Sequence, residues 1–367
     1  MRTNVHAGAV ASALFLCAGA GALASPSGDT ELAGLPAYQA GQPVSGTIRS
    51  YGFGLGGVLE KWQQAFAKLH PDIRFENTLP TSDAAFPALV TRVTDLGPNG
   101  GEPALTEALS FFETRGYHAS YVIVATGAFD TAGRSNGPVV FVHKDNPVAR
   151  LTIDQLDGIF GSERNGGMRG FEWTPVLARG ADKDIRTWGQ LGLTGEWADK
   201  PIQTYGHAPS GTTRFFQLHV LGNSEKWNPN YRGYVETDSK MIAPEDPGQT
   251  LGIRHMLREQ LAKDRYAIAW TTMSQAAGID GIKPLAIAPR GSNDYVMPSR
   301  ESFRQRSYPL ARNIYIYFDR APGTALQPRI REFLRFVLSR EGQQLVSEGG
   351  YLPLPPEMVR EQLAKLE

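Results

Sequence analysis

Ser210-Gly211-Thr212-Thr213-Arg214-Phe215-Phe216, following Pro201-Ile202-Gln203-Thr204-Tyr205, is the stretch whose reading decides the fold. The run up to Tyr205 predicts a strand, and Phe215, Phe216, Leu218 and Val220 predict a helix with a buried face. The hydroxyl-glycine-hydroxyl run therefore sits at a strand-to-helix switch. There the hydroxyls of Ser210 and Thr212 and the free backbone N–H groups converge at the positive helix end, a cradle for an oxyanion. The same tripeptide also serves as an ordinary helix N-cap, so taken alone it leaves both readings open.

Outward from this switch the chain alternates strands and helices. Residues 46–51 predict a strand and 58–70 an amphipathic helix, with Val58, Leu59, Trp62, Phe66 and Leu69 on one face. Pro71 stops that helix, and residues 73–76 predict a second strand; this order implies a parallel pairing. Residues 84–94 and 104–116 predict helices, 121–125 and 139–143 apolar strands, and 152–160 a helix capped by Thr152. Residues 161–190, rich in Gly, Arg and Trp, predict a surface excursion. Downstream, 249–263 predicts a helix, 266–271 and 313–318 strands, and 328–348 one long helix burying Ile330, Phe333, Leu334, Val337 and Leu338.

The 367 residues suffice for two domains, and a hydrophobic fraction of 41% supports large cores. The 37 basic and 37 acidic residues cancel, so no basic field invites nucleic acid. The N-terminus reads as an export signal, residues 1–24. Arg2 supplies the positive start, and an apolar run ends in Ala22-Leu23-Ala24, which predicts cleavage after Ala24 and a periplasmic or secreted mature chain. The run is shorter than the roughly 20 residues that a membrane span needs. Residues 25–45 read as a flexible leader. The single cysteine, Cys17, lies within the signal, with Leu16 where a lipoprotein has a small residue. The mature chain then has neither a disulfide nor a thiolate metal site.

Catalytic patterns are absent from the sequence: there is no His-Glu-x-x-His, no Walker A loop and no Gly-x-Ser-x-Gly elbow, and the seven His are scattered. No residue pair is arranged for acid–base or nucleophilic work, which predicts a non-enzyme with no cofactor and no metal. One pattern points elsewhere. Gly52-Phe53-Gly54-Leu55-Gly56-Gly57 follows a strand and opens a helix, with Glu76 ending the next strand, the context of a dinucleotide fingerprint. Any strand-to-helix turn that brings N–H groups to an anion uses glycines, however, and export removes the chain from the cytoplasmic nicotinamide pool.

Several further segments, in order, resemble the PstS-type phosphate-binding proteins of ABC importers. They are Gly46-Thr47-Ile48-Arg49 through Trp62, Thr94-Asp95-Leu96-Gly97, and Val142-His143-Lys144-Asp145-Asn146-Pro147 with Leu151-Thr152-Ile153-Asp154-Gln155-Leu156. Thr187-Trp188 to Trp197, the Ser210-Gly211-Thr212 run, Tyr315-Ile316-Tyr317 and Gly350-Tyr351-Leu352-Pro353-Leu354 complete the match. The resemblance implies an α/β, two-lobed type 2 periplasmic-binding-protein fold with two crossover strands and a central ligand cleft. Lobe one is then built from residues 46–125 and 301–367 and lobe two from 126–300, with crossovers near 125–138 and 288–312. It further implies a monomer that captures phosphate or a related oxyanion for an ABC permease complex in the inner membrane. A binding protein of the same fold that has lost tight phosphate binding, and serves another ligand or an adhesive role, is the alternative.

Carried over residue by residue, the resemblance places ligand-binding groups at Gly54, Leu55, Ser82, Ser210, Gly211 and Thr212. Two family features are missing. The anion-binding arginine that precedes Ser-Gly-Thr falls at Gly206, or at His207 if one residue is deleted, and the acidic acceptor falls at Gly100, with Glu102 nearby. Losing a bidentate arginine removes both charge and fixed geometry. Candidate replacements are Arg134 and Ser135 in the first crossover, Arg214 in the first turn of the 210 helix, and His207, whose ordinary pKa of about 6.5 would make binding pH-dependent.

Overall fold

The computed structural model describes residues 32–236 and 252–367. The expected signal peptide, the first part of the leader and the start of the helix expected from residue 249 lie outside the described residues.

Strand Gly46–Tyr51 turns Ile48 and Ser50 inward and pairs in parallel with Ile73–Thr78. The helix between them, Val58–Leu69, buries Val58, Leu59, Trp62 and Phe66, so the β-α-β reading holds. Leu69, expected on that face, is exposed because the helix ends there. A three-stranded antiparallel sheet follows, with Asn313–Phe318 in the middle between Gly97–Asn99 and Ser120–Thr126. A strand from the end of the chain thus completes a sheet begun near its start.

The second large sheet has five strands in the order Arg232–Tyr234, Gln203–His207, Ala267–Thr271, Val139–His143, Ile282–Pro284. Gln203–His207 is parallel to both neighbours, and Val139–His143 is antiparallel to both of its own. Val139–His143 is buried along its whole length, as a central strand must be.

Two principal apolar clusters result. One draws on residues 32–128 and 314–366, the other on 129–310 with Leu352. The chain crosses between them twice, and the crossings run side by side: the Gly127 N–H donates to the Arg312 carbonyl at 2.7 Å. The two-lobed architecture with two crossovers that the resemblance implied is the architecture observed.

The long helix expected over 328–348 is two helices, Pro328–Val337 and Arg340–Glu348. Ser339 breaks it, because its Oγ accepts the Gly342 N–H at 3.2 Å and so caps the second helix. Trp62 Nε1 donates to the Gly342 carbonyl at 2.8 Å, tying the bend to lobe one's first helix. Leu218, expected in the core, is exposed on its helix.

The excursion over 161–190 holds the hairpin Gly167–Arg169/Glu172–Thr174. Its anchor is Asp157, buried on helix Ile153–Phe160, which accepts from Arg164 at 2.8 and 2.6 Å and pairs with Arg179 at 3.2 Å. Thus anchored, the hairpin lays Phe171 against lobe one, with ring centroids 5.2 Å from Phe112 and 4.9 Å from His118. Asp157→Ala leaves two buried guanidinium groups short of their carboxylate. We expect it to lower stability by about 3–5 kcal/mol in urea denaturation, read by far-UV circular dichroism.

Candidate functional site

The strand ending at His207 delivers the chain to Ser210, whose Oγ accepts the Thr213 N–H at 3.2 Å and caps helix Gly211–His219. Gly211 and Thr212, the next two residues, face a cleft of about 560 Å³ between the lobes. Ser210 thus serves as the helix N-cap, while Gly211 and Thr212 line the cleft. The Thr212 hydroxyl donates to Glu236 Oε1 at 3.2 Å.

Lobe one faces this helix end with Phe53, Ser82 and Asp83, and with residues 99–102. Ser82 Oγ accepts the Gly100 N–H at 3.2 Å, which joins the two loops. The first crossover adds Arg134 and Ser135 to the lining. Ser82, Gly211 and Thr212, together with the candidates Arg134, Ser135 and Arg214, therefore meet in one cleft.

Gly54 and Leu55 are not among the cleft-lining residues. Phe53 occupies that place, and Leu55 is buried in the lobe-one core in a left-handed conformation, φ 51°. Arg134 explains part of the glycine pattern here: a Cβ on Gly56 would lie 2.4 Å from its Nη1. Its Nε donates to the Gly349 carbonyl at 2.6 Å. The surface that a nucleotide pyrophosphate would need over this turn is thus occupied by the chain's own guanidinium.

His207 requires a correction. It is fully buried, stacked on Trp270 at 4.9 Å, with Nε2 3.2 Å from Thr271 Oγ1. Burial pushes its pKa down to about 3, so it is neutral at physiological pH and supplies no positive charge to the cleft. Gly206 cannot be replaced by the family arginine either. A Cβ there would lie 2.4 Å from Trp270 Nε1 and 2.6 Å from the Tyr231 hydroxyl.

A further positive charge comes from a residue that sequence reasoning missed. Arg312, on the second crossover, lines the cleft, and its side chain has no hydrogen-bond or salt-bridge partner among the described residues. It is buried, and its guanidinium lies over the Phe215 ring, 5.5 Å from the centroid. A Cβ on Gly211 would lie 4.0 Å from its Nη2 and 3.9 Å from Arg214 Nη2, so both guanidinium groups flank the helix start. Burial lowers the Arg312 pKa below the usual arginine range, and the charges of Glu102 and Glu236 oppose that fall. Residue 312 ended the span expected for the second crossover, but nothing in the sequence set it apart from the other arginines.

Glu102 is the second missed group in its full role. It lines the cleft, accepts from the Tyr315 hydroxyl at 2.8 Å, and stands 3.5 Å from His219 of the other lobe. Burial pushes its pKa up, but the His219 and Tyr315 contacts together outweigh this and hold the carboxyl below its ordinary range. Its Oε2 is buried and has no hydrogen-bond partner among the described residues. At Gly100, where the family's acid was expected, the space is filled by the Ser135 hydroxyl, 2.3 Å from where a Cβ would stand. Asp83 and Arg214 close the rim with an ion pair of 2.8 Å across the lobes.

Two outcomes follow. Gly206→Arg should fail to add an anion ligand and should cost about 1–3 kcal/mol through overpacking against Trp270, as measured by thermal unfolding. The folded-state pKa of His207 lies below its unfolded value of about 6.5, so the unfolded chain binds the extra proton. Stability should therefore fall as pH drops from about 6.5 towards 3, by about 1.4 kcal/mol per unit, and His207→Phe should flatten that slope in melting curves recorded against pH.

Comparison with known proteins follows the same lines. A family model described as the PBP superfamily domain matches residues 39–341. The phosphate-binding protein PstS of Pseudomonas aeruginosa is 30% identical over 97% of this chain and 98% of its own length. Among solved structures, PstS from Borrelia burgdorferi superposes with a TM-score of 0.55 at 13% identity, covering 84% of this chain and 99% of that one. An ABC-type phosphate transport receptor from Vibrio cholerae gives 0.51 at 16% identity, covering 84% and 100%.

Proposed function

The chain belongs to the PBP superfamily and, within it, to the PstS-type phosphate-binding proteins, and from that premise we propose that it captures inorganic phosphate between its lobes for an ABC importer. The observation that carries this reading is Arg312: a buried cation, without a hydrogen-bond or salt-bridge partner among the described residues, at the mouth of a helix N-terminus, in a cleft that both lobes line.

In this reading Arg312 supplies the fixed positive charge. The Gly211 and Thr212 N–H groups lie in the first turn of their helix and point along its positive end toward the anion. Hydroxyls of Ser82 and Ser135 complete the donor set, while that of Thr212 is held by Glu236. The Oε2 of Glu102, without a partner among the described residues, is the acceptor for a protonated phosphate oxygen, a hydrogen bond that sulfate, lacking the proton, cannot donate. Closure of the lobes removes water, which strengthens each of these bonds. The chain binds and releases its ligand without chemical change, works in the periplasm as a monomer, and hands phosphate to a permease complex in the inner membrane.

Calorimetric titration of the protein, unfolded and refolded to strip ligand, with phosphate and then sulfate tests this. Phosphate should bind and sulfate should not. Arg312→Ala should weaken phosphate binding about 100-fold, and Arg312→Lys should restore only part of it, because an ammonium lacks the planar fork. Glu102→Gln should narrow the gap between phosphate and sulfate. No heat and no thermal stabilisation with millimolar phosphate would leave a binding-protein fold put to another use.

A further inference from the structure

Behind Glu102 a chain of hydrogen bonds runs back to the joint between the lobes. It starts at Arg306, just past helix Arg300–Arg304. One guanidinium nitrogen donates to Thr126 Oγ1 at 3.0 Å and the other to Asn313 Oδ1. Thr126 and Asn313 flank Gly127 and Arg312, whose backbone bond joins the two crossings, so one side chain ties both. Asn313 Nδ2 then donates to the Tyr315 hydroxyl at 2.9 Å, and that hydroxyl donates to Glu102 Oε1 at 2.8 Å.

The direction of the chain is fixed at its Arg306 end. A guanidinium has N–H donors and no acceptor, so the Asn313 amide turns its oxygen to Arg306 and its NH2 to Tyr315. The Tyr315 oxygen already accepts there, and its single proton goes to Glu102. Burial and the Glu102 charge push the Tyr315 pKa up, so the phenol keeps that proton. His219 of lobe two stands 3.5 Å from the same carboxylate oxygen. A carboxylate whose Oε1 is held by donors in this way is an acceptor, not an acid. The Arg306 backbone is a second, independent sign: its φ of 61° is left-handed, a conformation that costs a non-glycine residue free energy and gathers at functional sites.

We propose that Arg306, Asn313 and Tyr315 are positioning residues that keep Glu102 ionised and aimed as a hydrogen-bond acceptor, and so set the preference for an oxyanion that carries a proton over one that does not. This rests on the anion-cleft reading above. Asn313 and Tyr315 share one strand of lobe one, so the acceptor is aimed from its own lobe and from the joint.

Calorimetry with phosphate and sulfate over a pH series tests this. Sulfate stays fully ionised where carboxylates and imidazoles titrate, so the pH dependence of its binding reports groups of the protein. Tyr315→Phe keeps the ring and removes the donor that helps to hold the Glu102 pKa low. Glu102 is then protonated at higher pH and can donate to sulfate. Sulfate binding should therefore set in at higher pH than in the unaltered chain, and the preference for phosphate at about pH 7 should fall about tenfold. Asn313→Asp should act in the same direction, because its carboxylate competes for the Tyr315 proton. The other groups that act on Glu102 or feel its charge, His219, Arg306, Arg312 and Tyr317, are the same in all three proteins. A preference and a sulfate onset that stay in place in both variants would overturn the inference. A preference unmoved by Glu102→Gln would remove Glu102 as the acceptor, and this inference with it. No phosphate binding by the unaltered chain would instead remove the anion-cleft reading itself.

Discussion

A guanidinium taken out of water loses its hydration, and the structure around it must replace what was lost. Arg312 is in that position, and the arrangement of the cleft follows from it. Glu102 and Glu236 provide opposing charge from the two lobes, and each accepts a hydrogen bond, the first from Tyr315 and the second from Thr212. The guanidinium itself lines the cleft that both lobes form. Because Arg312 sits on one crossover and its carbonyl accepts from Gly127 on the other, the charge is set at the joint about which lobes of this kind move.

The same constraint explains why the charge is there and not on the strand before Ser210. That strand ends among stacked rings, and Trp270 and Tyr231 crowd Gly206 so closely that no side chain fits. With Arg312 on the second crossover, a guanidinium flanks the helix start while the aromatic layer stays intact.

Contacts between the lobes are individually modest. The Asp83–Arg214 pair is well exposed on the aspartate side, and such pairs are worth about 0–1 kcal/mol. The Glu102–His219 approach and the Phe171 contact with Phe112 and His118 add to it. A bias of this size leaves a ligand that touches both lobes free to decide how long they stay together. Asp157 matters at a distance for this reason, since it holds the excursion that carries Phe171.

What the sequence by itself determined is local. Hydrophobic periodicity set the first strand, helix and strand, the buried strand at Val139–His143, the central strand at Asn313–Phe318 and the switch at Ser210, because period and capping are properties of neighbours along the chain. The loops carrying Ser82, Arg134 and Gly211 were also legible, through their glycines, hydroxyls and order. Only the tertiary structure decided that Arg312 and Glu102 face the same space, that His207 is buried and neutral, and that Ser339 ends a helix which periodicity would have continued. Residues 82, 102, 134, 212 and 312 meet only when two lobes have formed and the chain has crossed between them twice. Charge and burial at such a meeting point depend on desolvation by distant segments, and no window of sequence contains it.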